Sequence, residues 1–413
     1  MYKITQLIAN RTARQTLLLF SAQIFSLGIG FIANMLLAKE MGVQQFGIYS
    51  FTLATISFVA IFFEFGYFAS GARLLAQNHD KVYEKELIAA LLVIAGIIAM
   101  GFVVTIFALS FVVDEIFADK IGEILRLASI VSFSFILPFF MELVLKGSNH
   151  IEYLSLFHFI WKVLFMILLI FLYIFEIISP IAIILILSTG CILAFLIISF
   201  NLRPLNSRTR KILIKLHREN KRYGFHVYTA RIADTATFQL DRLMISFFVG
   251  STSVGFYSLA FALASPLNTF STALSSSKFK SFSNGKAVPN NILIANFIWI
   301  LIASLGIITV GYFIVYSFLG IAYAEVFPLL IVLICAVFFQ ASYQPYNAWI
   351  CSAGFGKEVK IKTYITTFIN ILFNILLIPY YGALGAAIAS LISMFASFVI
   401  YFYLHSKLAR KLI

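Results

Sequence analysis

Charge, cysteine and long polar stretches are what this chain has least of. Of its 413 residues only 11% are charged, three are cysteine and eight are proline, whereas 62% are apolar. Soluble domains run at roughly 25% charged and 45–50% apolar. The composition therefore excludes an ordinary soluble globule and calls for a polytopic membrane protein. Cys191, Cys335 and Cys351 lie apart in apolar segments, without CxxC or Cys/His spacing, which excludes a disulfide framework and a zinc site. No Gly-x-x-x-x-Gly-Lys-[Ser/Thr] loop is present and no segment has room for a soluble ATPase domain. Acids are scarce beside bases, 17 against 30, for a net charge of +13. In a soluble protein that excess suggests nucleic acid; here it reads as the loop bias that orients membrane helices. Neither nucleic acid, metal nor cofactor is expected.

What is present is a series of apolar runs, each near the 20 residues or so that cross a bilayer. Twelve are predicted, near 16–38, 46–67, 87–113, 123–145, 151–175, 178–200, 223–249, 255–276, 290–318, 324–350, 360–378 and 383–405. The first follows Lys3, Arg11 and Arg14 as a signal peptide would, but is too long for a cleaved one and reads as a retained helix. With the amino terminus inside, 24 of the 30 Lys/Arg fall in inside segments and only Lys39 and Lys120 outside; Arg126, Lys162, Arg231 and Arg242 fall within spans. Both termini are thus expected in the cytoplasm. The segment Arg203–Arg222 carries eight of the cations against one acid, Glu219. It divides the chain into an N-terminal bundle (1–202), a basic cytoplasmic linker (203–222) and a C-terminal bundle (223–413).

The chain also repeats. Gly42-Val-Gln-Gln-Phe-Gly-Ile-Tyr-Ser50 matches Gly250-Ser-Thr-Ser-Val-Gly-Phe-Tyr-Ser258 at both Gly, the Tyr and the Ser. A turn with two glycines, entered by an interfacial Tyr, has a physical reason to recur. The offset sets the first six spans on the last six, and both sets begin inside. The expected fold is therefore all-α and integral to the membrane, with twelve transmembrane helices in two six-helix bundles. A parallel pseudo-two-fold repeat about the membrane normal relates them. The repeat fades at its end, where Glu176–Pro180 lacks the Gly-x-x-Gly-Ala-Ala of 382–387.

The Gly42–Ser50 turn, Phe65-Gly66, Gly71-x-Arg73, Asp241-Arg242 and Pro379-Tyr-Tyr-Gly382-x-x-Gly385-Ala386-Ala387 together resemble bacterial polysaccharide flippases. These are the O-antigen and capsule repeat-unit transporters of the MATE-like MOP exporter superfamily, and the resemblance runs over essentially the whole chain. It implies two bundles facing a central cavity in the bacterial cytoplasmic (inner) membrane. The implied substrate is an undecaprenyl-diphosphate-linked oligosaccharide unit, moved from the cytoplasmic to the outer leaflet by alternating access. Glycan polymerase and chain-length machinery are the implied protein partners, and no bond is broken. Two alternatives stand beside this. A multidrug/cation antiporter of the same superfamily would favour an acidic cavity. A membrane glycan polymerase or ligase would need a long outside loop, which the spans do not leave.

A charged residue at a helix centre costs about 2.5–3.5 kcal/mol on insertion scales, so such residues usually meet a partner or a wet cavity. The span 223–249 carries Arg231, Asp234, Thr235, Asp241 and Arg242. They form either a cationic wall for phosphate or local Arg231–Asp234 and Asp241–Arg242 pairs. Span 151–175 places His158 and Lys162 on one face, and Lys162 needs an anion: Glu64, Glu142 or a ligand phosphate. His158 alone is more often packed than reactive. Glu64, late in the second span, and Asp234 are candidates for ion coupling, with Glu64 equally readable as an interfacial acid. Two uncharged stripes, Gln340/Gln344/Asn347/Cys351 and Thr363/Thr367/Asn370/Asn374, follow helical spacing. They serve either as interhelical hydrogen bonds or as sugar-binding groups.

Overall fold

The computed structural model describes residues 11–78, 80–117, 119–205, 209–283 and 287–412. Within these ranges the side chains of 11–17, 20, 209, 230, 233–238, 276–277, 279–281, 283, 356 and 411–412 lie outside the described set. The chain is helical throughout, with no strand among the described residues. Its longer α-helices are α1 (Arg11–Ile61), α2 (Tyr67–Gln77), α3 (Lys81–Leu109), α4 (Gly122–Ser132), α5 (Leu137–Gly147), α6 (Ile151–Ile174), α7 (Pro180–Leu202), α8 (Thr209–Glu219), α9 (Phe225–Phe248), α10 (Ser251–Ala264), α11 (Pro266–Ser283), α12 (Asn290–Phe313), α13 (Val326–Ser352) and α14 (Gly356–Leu412).

Eight stretches among the described residues are long and apolar enough to cross a membrane. Two of them, Ser21–Ile61 and Lys357–Arg410, have 41 and 54 residues, far more than one crossing uses. Each is divided by one non-helical glycine, Gly42 (φ 70°, ψ 173°) in α1 and Gly382 (φ 56°, ψ −137°) in α14. Positive φ is open to glycine and strained for residues with a Cβ. Both joints fall in the turns that the sequence singles out. α9 carries four charges, Arg231, Asp234, Asp241 and Arg242. The predicted span 255–276 is two helices, α10 and α11, separated at Ser265 ahead of Pro266. The apolar surplus points outward: Met100 is 72% and Phe200 84% exposed, which water would not tolerate and acyl chains do.

The chain divides into two compact units. Of the described residues, those in Met1–Ala33, Thr52–Ile116 and Lys120–Ile232 form one, and those in Asn34–Phe51, Phe117–Asp119 and Ala233–Ile413 the other. The basic segment 203–222 thus belongs to the first unit, and the division falls inside α9. In the first unit Phe68 packs edge-on against Phe140 at 5.6 Å, and Gly147 lies against the Ala72 backbone. In the second, Trp349 and Tyr346 enclose the His405 ring at 4.9 Å each. The two repeated motifs also touch within this second unit. A Cβ on Gly255 would stand 2.9 Å from Gly47 Cα, and one on Gly47 would overlap the Ser251 carbonyl. Asp119 accepts the Ser251 N–H beside this contact, and the Tyr323 hydroxyl donates to the Ala38 carbonyl.

Candidate functional site

Two polar clusters stand out among the spans, one in each unit, with α9 contributing to both. The first is built on a helix break. The chain leaves α1 at Ile61 and re-enters helix at Tyr67, with Phe65 (φ 48°) and Gly66 (φ 77°) left-handed between them. Glu64 therefore lies in a break and not in a continuing helix as the apolar run 46–67 predicts. A break frees carbonyls that the bilayer interior cannot hydrate. Tyr228 of α9 donates its hydroxyl to Phe62 O at 2.7 Å, and the Asn220 amide donates to Phe65 O at 3.0 Å. Ser70 donates to the Asn220 side-chain oxygen at 3.2 Å. Gly66 and Gly224 approach so closely that a Cβ on either would overlap the other's carbonyl.

Arg231 lies three residues beyond Tyr228 on α9 and so faces the same break. Its Nη1 donates to Glu64 Oε1 at 2.8 Å; the Glu64 side chain is 5% exposed and that of Arg231 33%. Arg231 thus has a partner 167 residues away; Asp234 and Thr235, and with them the expected Arg231–Asp234 pair, lie outside the described side chains. Glu142 pairs with Lys146 at 2.7 Å and lies within electrostatic reach of Glu64, Arg231 and His158. His158 is half-buried beside it. Lys162 receives neither expected carboxylate, since Glu64 is held by Arg231 and Glu142 by Lys146. Its ammonium rests instead over the rings of Trp161 at 4.6 Å and Phe165 at 5.9 Å. Arg231, Lys146, Glu64 and Glu142 form the charged group, and Lys162, within electrostatic reach of His158, is left without a carboxylate among the described residues.

The second cluster centres on Asp241, 2% exposed. Asn374 donates to its Oδ1, and Tyr257 and Ser390 to its Oδ2, each at 2.7 Å. Asn374 also donates to Asn370 Oδ1 at 3.1 Å. Asp241 makes no ion pair with Arg242, against the local-pair expectation. Arg242 instead donates to Gln239 at 3.2 Å, lies 5.8 Å from the Phe261 ring, and leaves its buried Nε without a hydrogen bond. Tyr257, expected at the interface as the repeated aromatic, is turned inward by this carboxylate. Of the uncharged stripes, Gln344 donates to Asn268 at 3.1 Å, and Asn347 accepts from Tyr401 at 2.8 Å and more weakly from Cys351. Gln340 and Thr367 are half-buried. Asn370 and Asn374 join a charged group, Asp241. Sequence reasoning missed Tyr257, Ser390, Asn220 and Tyr228, whose partners lie far away in the chain; only Tyr257 carried a signal, through the repeat.

Residues 12–276 match the sequence profile of the family described as polysaccharide biosynthesis protein. The chain belongs to the polysaccharide biosynthesis protein family. A relative within reach of sequence comparison is the probable flippase AglR of Haloferax volcanii, 26% identical over 93% of this chain and 81% of that protein. Among solved structures, this family member is similar to the lipid II flippase MurJ in an inward closed conformation. The TM-score is 0.76 at 17% identity, covering 95% of this chain and 89% of that one. It is similar also to a multidrug resistance MATE family transporter of the MOP superfamily in its inward-facing conformation. Here the TM-score is 0.75 at 14% identity, covering 94% of both chains. The polysaccharide biosynthesis protein thus has the MurJ/MATE-like fold and is a multi-pass integral membrane protein. Its relatives carry the names of flippases and transporters rather than of enzymes.

Proposed function

We propose that this protein is a flippase for a polyprenyl-diphosphate-linked oligosaccharide, working by alternating access between two six-helix bundles. The observation that carries the reading is the charge balance of the Glu64–Arg231 cluster. Lys162 is a cation within a span whose neighbours are aromatic rings, and Arg231 spends one guanidinium N–H on Glu64 while a third of its side chain stays exposed. A guanidinium has five N–H donors, so the remaining ones suit a phosphate, and the Lys162 ammonium completes the match for a dianion. The AglR name, a probable flippase, and the MurJ name, a lipid II flippase, point the same way. Orientation follows from the 24-to-2 asymmetry of loop cations, with both termini inside; the movement proposed, from the cytoplasmic to the outer leaflet, is the one that the family resemblance implies. On this reading the joints at Gly42 and Gly382 each separate two crossings, the count is twelve, and the bundles repeat in parallel. An undecaprenyl carrier, an O-antigen or capsule unit, the bacterial inner membrane and an adjoining glycan polymerase complete the proposal.

Asp241 supplies a route to ion coupling. Its carboxylate, the hydroxyls of Tyr257 and Ser390, and the buried Asn374 side-chain oxygen that lacks a partner are all oxygens. That set suits a hard monovalent cation or a proton better than a sugar phosphate. The same buried acid, with the MATE likeness, favours a second reading, antiport of organic cations. One experiment separates them. Purified protein in vesicles should move a fluorescent polyprenyl-diphosphate glycan between leaflets and leave an entrapped cationic dye in place. Dye efflux without glycan movement reverses the assignment.

A further inference from the structure

The segment that joins α7 to α9 has a surface that neither cluster uses. α7 ends at Leu202 with Arg203 left-handed (φ 46°), and the Leu205 N–H donates to Lys85 O at 3.2 Å. α8 then lies against the start of α3, with Lys215 over the Tyr83 ring at 4.7 Å. α3 has 29 residues. At 1.5 Å each it is about 44 Å long, the thickness of a bilayer with both headgroup layers. Its first turns, and α8 beside them, therefore fall in a headgroup layer rather than in free solvent.

α8 turns Ile212 and Leu216 inward, both buried, and ties down its far end through Arg73–Glu219 at 3.1 Å and the Tyr67 hydroxyl to His217 Nδ1 at 2.8 Å. At about 100° per residue the opposite face presents Arg210, Lys211 and Arg218, and Lys221 follows in the π-helical turn Asn220–Gly224 directly after α8, all exposed. In the middle of these four cations stands Ile214, 57% exposed. Glu219, the acid of this segment, is already taken by Arg73. We propose that this outer face of α8 binds anionic phospholipid headgroups, with Ile214 seated at the acyl boundary and the four cations on the surrounding phosphates. Charge complementarity and depth select this occupant. A helix with cations around an apolar centre suits an interface, and cations near an anionic surface act additively there. A nucleic acid or acidic peptide would leave Ile214 without an apolar partner. The inference does not depend on the flippase reading, because it concerns a face outside both charge clusters.

The test uses the full chain in nanodiscs of phosphatidylcholine, alone or with phosphatidylglycerol, and follows amide exchange across 210–222. Phosphatidylglycerol should slow exchange there and nowhere else, and salt should reverse the effect. Replacing Lys211, Arg218 and Lys221 by Gln should lower the phosphatidylglycerol affinity about fivefold per cation. These side chains are exposed, so the unfolding temperature should hold and show that the variant is folded. Equal protection in pure phosphatidylcholine, or a phosphatidylglycerol effect that survives the triple change, overturns the proposal. So does slowing by free glycerol phosphate or by an RNA oligonucleotide in neutral discs, which would name a soluble ligand instead.

Discussion

Lys162 and Arg231 look alike in the sequence, yet their surroundings separate them. Removing Arg231 leaves Glu64 buried and unpaired, so Arg231→Ala should destabilise by about 3–5 kcal/mol as well as stop transport. Lys162→Ala abandons no carboxylate, and its thermal unfolding in detergent should stay near that of the parent while glycan movement is lost. Adding Glu64→Gln to Arg231→Ala should restore much of the stability without restoring transport. Should the double variant flip normally, Arg231 does not hold phosphate. Asp241→Asn asks a different question. The amide keeps the shape but presents N–H to one of the donors around it, leaving an unmet group worth about 1–3 kcal/mol. Vesicle transport by this variant should no longer respond to an imposed sodium or proton gradient; an unchanged response removes Asp241 from coupling.

At the scale of elements, the contact between the two glycine motifs is the sharpest feature. The atoms facing a Gly255 Cβ are the Gly47 backbone, which cannot swing aside as a side chain would. Gly255→Val should therefore cost at least the 1–3 kcal/mol typical of overpacking, and Gly28→Ala, with open space around it, almost nothing. Gln45 and Thr252 are exposed beside this contact. A Gln45→Cys/Thr252→Cys pair should cross-link readily with short bifunctional reagents and block transport until reduced. Failure to link under conditions that label each cysteine alone contradicts the packing. The glycine turns were legible because they are local patterns of residue type. So were nearly all the helices, from apolar runs. The break at Phe65–Gly66 was not, because an apolar run reads the same whether or not the helix continues; what permits it is a set of donors from Asn220 and Tyr228. The Asp241 cluster was half legible. Asn370 and Asn374 share a helical face, but Ser390, 149 residues from Asp241, becomes a neighbour only through folding.

For the whole molecule, the apolar exterior and the skewed cations make one claim together, orientation in the membrane. Alkaline phosphatase fused at Asn206 should be inactive and fused at Thr252 active, since the basic segment is predicted inside and the following turn outside. The reverse pattern would invert every span. The charge that orients the chain is concentrated between α7 and α9, so replacing four of its Lys/Arg with Gln should weaken topology more than the same change near the carboxyl terminus. A protease-protection assay on both variants measures that difference.

Gly382 has one more consequence, for insertions and deletions. The joint in α14 is a single residue, with helix directly on either side. Asn374 reaches Asp241 from before it and Ser390 from after it. One residue added between them would rotate Ser390 by about 100° and advance it about 1.5 Å relative to Asn374, so one of the two must let go of the carboxylate. The turn is thus a phase-setting device: its residues can change in kind more freely than in number.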